Sequence, residues 1–98
     1  MEVIKSQEDG KAVISVNGEI DSANVADFEE KLKNAVEGEN TVVMDLADLE
    51  YVSSAGLRVF LMIQKMYGSG DGLTIINTND EVMEIFKVTG FSKLLNLR

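Results

Sequence analysis

Two adjacent serines in the stretch YVSSAGLRVF, Ser53 and Ser54, are the side chains of this chain whose type and setting best suit chemistry. A serine hydroxyl can attack a substrate, accept a phosphoryl group or cap a helix. Attack normally requires an imidazole within hydrogen-bond reach to take the proton, and the sequence contains no histidine. Cysteine is absent as well, which removes thiolate nucleophiles, disulfides and sulfur-ligated metals. The G-x-S-x-G pattern of a nucleophile elbow fails at Val52, where its first glycine belongs. A Ser/His/Asp hydrolase is therefore excluded, and no enzymatic activity, metal or cofactor is expected.

Two other stretches carry chemistry-bearing residues. GSGDG, residues 68–72, has the glycines of a phosphate-cradling loop. Such a loop follows a strand and opens a helix, and here the order is helix then strand, so it reads as a turn. Asp45, Asp48 and Glu50 cluster where an α/β sheet places its sites. They lack the phosphate-binding loop that normally accompanies a Mg²⁺ site and read as solvated acids.

The elements that must position the serines follow from patterning. Val3–Ser6 and the β-branched run Val13–Val16 read as a hairpin across Asp9 and Gly10, with Asn17 and Gly18 ending the second strand. Ser22 stands where an N-cap belongs, ahead of Val25, Phe28, Leu32, Ala35 and Val36 at helical spacing. Thr41–Leu46 is a continuous apolar run, the pattern of a strand covered on both faces, and Leu73–Ile76 is similar. Between them Ser53 and Ser54 open a helix running to about Met66 or Tyr67. Thr78 and Glu81 have capping-box spacing before a third helix, which buries Val82, Ile85 and Phe86 and ends at Gly90. Alternating strands and helices imply an α/β layer whose initial hairpin makes the sheet mixed.

Placing the residues of the second helix about 100° apart puts Val59, Phe60, Ile63, Met66 and Tyr67 on one arc and Arg58 with Lys65 opposite. Leu57, Leu61 and Met62 flank the basic pair, where they can form a docking face beside the serines. Ala55 and Gly56 leave the serine hydroxyls approachable. A helix start also tolerates an added anion, so a phosphoryl group there costs the fold little.

Composition sets the remaining bounds. Ninety-eight residues with 45% hydrophobic content are expected to form one domain spanning residues 1–98. No apolar run reaches the roughly 20 residues of a membrane span, and the N-terminus has no signal-peptide pattern, so a soluble cytoplasmic protein is expected. The net charge of −8 opposes nucleic-acid and acidic-membrane roles and points to protein partners.

DLADLEYVSSAGLRVFL, with VNGEIDSANVADFEEKL before it and VTGFSKLL after it, resembles the STAS domain of bacterial anti-sigma-factor antagonists along essentially the whole chain. The resemblance implies a mixed four-to-five-stranded sheet with helices mainly on one face. It also implies partner switching. The unphosphorylated antagonist binds an anti-sigma factor that is also a serine kinase and so frees a sigma factor; phosphorylation separates the pair, and a serine phosphatase resets it. The family motif commonly reads D-S-S/T-G-L. Aligned on Gly56 and Leu57, the acceptor is Ser54, while Ser53 stands in the aspartate position. Asp21 and Ser22 match the family's second contact loop, and the implied partner surface comprises Asp21, Ser22, Ser53, Ser54, Gly56, Leu57 and Leu61. The alternative is a constitutive interaction subunit of a transporter or a stressosome-like assembly. The apolar surface is compatible with a monomer or a weak dimer.

Overall fold

Strands β1 (Glu2–Glu8) and β2 (Lys11–Ile20) form an antiparallel hairpin in the computed structural model, which describes residues 1–98. Asp9 (φ 52°) and Gly10 (φ 78°) are both left-handed, the turn geometry whose twist matches that of the strands it joins.

β2 does not end at Asn17 and Gly18, as its sequence predicts, but continues to Ile20. Gly18 takes φ 91°, and the register shifts between Gly18 and Glu19. An Asn-Gly pair can be absorbed as a bulge as well as spent on a turn. The bulge lets one strand serve two neighbours. Ala12–Ser15 pair in parallel with β3 (Val42–Asp45), whereas Gly18–Ile20 pair in parallel with β4 (Leu49–Val52), a strand not anticipated from its four residues. β5 (Leu73–Ile76) joins the far side of β3, giving the order β1-β2-β3-β5 with β4 attached to β2.

Ala12, Ile14, Val16, Val42, Met44, Leu73 and Ile75 are buried, while the alternate residues Val13, Val43 and Ile76 are only half-buried. The sheet is thus covered on one face, and the apolar run of β3 does not signal two. Helices α1 (Val25–Val36), α2 (Ser54–Tyr67) and α3 (Asp80–Val88) supply the cover. Each contributes a fully buried phenylalanine. The Phe60 ring lies 5.6 Å from that of Phe28 and 6.0 Å from that of Phe86, tilted to one and edge-on to the other, as aromatic quadrupoles prefer.

The buried arc of α2 is rotated from the predicted one. Leu57 and Gln64 are inside and Met66 is 61% exposed, because the C-terminal segment packs on the Gln64 side. Asn96 N–H donates to Gln64 Oε1 at 2.9 Å, and Gln64 Nε2 donates to the Gly68 carbonyl at 2.9 Å. A buried glutamine with both ends bonded is a core residue that a polarity pattern counts as surface.

The third helix starts one residue later than the capping-box spacing predicts. Asn79 caps it, accepting from Val82 N–H at 2.9 Å and donating to the Leu49 carbonyl, while Thr78 Oγ1 is buried without a partner. Asn79 wins because its longer amide reaches both the helix and β4. After Gly90 (φ 81°) a 3₁₀ turn, Phe91–Lys93, leads to Leu97, which bridges Ile75.

Since Phe60 connects all three helices, Phe60→Ala is expected to lower unfolding free energy by about 3–5 kcal/mol, measured by urea denaturation.

Candidate functional site

β2 and β4 end together. Ile20 pairs with Val52, and Ser53 N–H donates to the Ile20 carbonyl at 2.8 Å. Asp21 and Ser53 therefore leave the carboxyl ends of two adjacent parallel strands side by side. This pairing brings the GEID and SSAG segments together.

Ser53 is extended (φ −79°, ψ 170°), and its Oγ accepts from Gly56 N–H at 3.3 Å, so it caps α2 as its type and position predict. Ser54 is the first residue of the helix and is exposed. The two serines differ: one hydroxyl is committed to the helix end and the other is open.

The loop before α1 is organised differently from the prediction. Asp21 Oδ1 accepts from Ala23 N–H at 2.9 Å and Asn24 N–H at 3.0 Å, while Asn24 Oδ1 accepts from Asp21 N–H at 3.0 Å. Asn24 Nδ2 also donates to the Glu19 carbonyl at 2.9 Å. Asn24, not Ser22, is the residue before the helix, and Ser22 is exposed with no side-chain hydrogen bond. Asp21 has taken the Asn24 N–H that a capping Ser22 would have served. The loop is thereby held by its own side chains and presents Ser22 outward.

Gly56 is not an opening beside the serines. A β-carbon there would lie 2.7 Å from Val52 Cγ2 and 2.8 Å from Ile20 Cγ2, so its role is to let α2 sit directly on the ends of β4 and β2. Leu57 is 2% exposed and belongs to the core, which corrects its assignment to the docking face: it supports the site from below. Leu61 is half-buried and lies two turns beyond Ser54 on the same stripe as Arg58. It lines a groove toward the C-terminal segment. A shallow groove between α1 and α2 is bordered by Ala55 and Met62, both read from the sequence as neighbours of the serines, and by Val25, Ala26 and Glu29 of α1, which were not. Their helical spacing was visible, but not that two helix faces meet there.

The perturbed ionisable groups sit at the other end of the sheet. A hydrogen bond from Lys5 holds the Glu39 carboxyl below its ordinary range, and burial pushes the Tyr67 phenol up. Both are structural: Tyr67 Oη–H donates to the Glu39 carbonyl at 2.7 Å, tying the end of α2 to the end of α1. Asp45 accepts from Ala47 N–H at 2.9 Å and Asn77 Nδ2 at 3.2 Å. No cluster of carboxylates is arranged to hold a metal ion. No helix is long and apolar enough to cross a membrane.

A mixed sheet covered on one face, with an open hydroxyl at a helix start beside a self-braced loop, defines a small α/β module with an exposed surface at the carboxyl ends of β2 and β4. The STAS domain family model matches residues 2–98, and the chain belongs to that family. It is 37% identical over 93 residues to the protein named "Putative anti-sigma factor antagonist BtrV" of Bordetella bronchiseptica, covering 93% of this chain and 80% of that protein, and 30% identical over 86 residues to the anti-sigma-B factor antagonist of Staphylococcus epidermidis, covering 86% and 80%. A crystal structure of an anti-sigma factor antagonist from Mycobacterium paratuberculosis superposes with a TM-score of 0.85 at 25% identity, covering 98% of this chain and 83% of that one. The Bacillus protein SpoIIAA shares the fold at 18% and 17% identity in its unphosphorylated and phosphorylated forms. The TM-scores are 0.73 and 0.68, with 99% of this chain and 88% and 91% of those chains covered.

Gly56→Ala is expected to destabilise the fold by about 1–3 kcal/mol through overpacking, even though alanine is the better helix former. Ser53→Ala should cost about 1 kcal/mol as a lost cap. Thermal unfolding of the two variants measures both.

Proposed function

We propose that this protein is a phosphorylation-switched anti-sigma-factor antagonist. Unphosphorylated, it binds an anti-sigma factor that is also a serine kinase, and a sigma factor is released. Phosphorylation of Ser54 separates the complex, and a serine phosphatase restores the binding form. The observation that carries this reading is an exposed Ser54 at the first position of α2, next to the braced Asp21 loop, in a chain whose relatives include named antagonists.

The switch has a simple physical basis. A phosphoryl group adds about 1.5–2 negative charges at neutral pH. In the free protein that charge sits in water at the positive end of α2, with Arg58 four residues on along the same face, so the fold tolerates it. Against a docked partner the same charge must be desolvated beside Ala55 and the groove residues Val25 and Met62. The modification therefore disfavours the complex without unfolding the domain.

Ser53 stands where the family motif commonly has aspartate. Here the position is neutral and its hydroxyl is engaged by Gly56 N–H, so helix capping is retained while one negative charge next to the acceptor is lost. Ser22, outward and unbonded, joins Asp21, Ser53 and Ser54 in the contact surface, which continues along α2 to Leu61.

Incubation with the cognate kinase and ATP is expected to add one phosphate to the wild type and none to Ser54→Ala, read by intact mass. The phosphorylated protein should melt no lower than the unmodified one. Equal phosphorylation of Ser54→Ala would sink the site assignment.

A further inference from the structure

The charges of this chain are distributed unevenly. Of nine Lys and Arg residues, four are in ion pairs, Lys5 with Glu39, Lys31 with Asp27, Lys33 with Glu29 and Arg98 with Asp71. Although acids outnumber bases 17 to 9, Lys65 and Lys93 have no carboxylate partner, and both border one groove. That groove, about 480 Å³, runs between the second half of α2 and the segment following the 3₁₀ turn, and no Asp or Glu lines it. Its local charge is opposite to that of the protein as a whole.

The floor is apolar. Leu94 is 53% exposed, and Leu61 and Leu95 lie beside it. The polar side chains at its base are already committed: Gln64 bonds Gly68 and Asn96, and Asn96 Nδ2 donates to the Leu73 carbonyl at 2.9 Å. They fix the groove's shape and leave recognition to apolar contact and to the two ammonium groups.

We propose that this groove docks an acidic, leucine-bearing peptide segment of a partner protein. Its volume is within the range of about 300–1,000 Å³ that ligand sites occupy. Lys65 comes from the helix wall and Lys93 from the opposite wall, so the complementary ligand carries carboxylates on both sides of an apolar strip, as a peptide does and a single fatty acid does not. Lys65 is eleven residues from Ser54, about 16 Å along the helix. Occupancy of the groove is therefore spatially separate from the Ser54 hydroxyl; it shares only Leu61 with the surface proposed for the switch and rests on different observations.

The test is a ¹⁵N NMR titration of the full chain with a synthetic peptide of sequence ELLEELLE, with QLLQQLLQ as the uncharged control. Shift changes are expected at Leu61, Lys65, Ser69 and Leu94. They should weaken as salt is raised, and affinity should fall about tenfold or more in K65E/K93E. K65Q/K93Q, which removes charge without reversing it, should give an intermediate loss. No shift changes in this groove at millimolar peptide, equal binding of the glutamine peptide, or undiminished binding by K65E/K93E would overturn the proposal.

Discussion

Gly56 rests against the branched side chains of Ile20 and Val52, closer than any side chain at that position would permit. Ile20 and Val52 are the last paired residues of β2 and β4, so this contact fixes the start of α2 over the joint end of two strands. From it follow the exposure of Ser54, the capping role of Ser53 and the adjacency of the Asp21 loop. Val52 and Ile20 are β-branched and stiff in χ1, and they cannot swing aside to admit a methyl group. The site is therefore positioned by rigid elements and not by a flexible loop.

β2 outruns β3, which ends at Asp45 opposite Ser15, and its pairing with β4 carries a register shift at Gly18. One strand thus organises both halves of the sheet: its first half sets the hairpin and β3, and its second half carries the functional end. On the helical side the chain of phenylalanines, Phe28, Phe60 and Phe86, fixes α2 between its neighbours. The outer stripe of α2 is left free, with Ser54 at one end, Arg58 and Leu61 along it, and Lys65 at the other. A single helix can in this way hold the core together with one face and present a modifiable surface with the other.

Much of this was legible in the sequence where one physical rule dominated. The Asp9-Gly10 turn, the helix beginning at Ser53 and Ser54, and the stop at Gly90 each follow from local chemistry that nothing competes with. Asn17-Gly18 misled because the same dipeptide suits a turn or a bulge, and only the strands on either side decide. Ser22 and Thr78 are sound cap residues by type, yet Asn79 displaces Thr78 with a longer side chain that reaches both the helix and β4, and Ser22 is left outside because α1 begins only at Val25, after a loop braced by Asp21 and Asn24. Leu57 reads as marginal because it flanks the basic pair Arg58 and Lys65. Once the C-terminal segment satisfies Gln64, the buried arc of α2 turns toward it and takes Leu57 inside. Val43 and Ile76 show the limit of apolar runs: strands of this composition need not be covered on both faces.

The role assigned to Ser54 requires that one phosphate alter binding and leave the fold intact. The most direct measurement is the affinity of the cognate anti-sigma factor, by calorimetry, for the unmodified protein and for protein stoichiometrically phosphorylated on Ser54. A coupling of about 1–3 kcal/mol predicts that phosphorylation weakens binding about 5- to 150-fold. Equal affinity for the two forms, with phosphate confirmed on Ser54, would contradict the account.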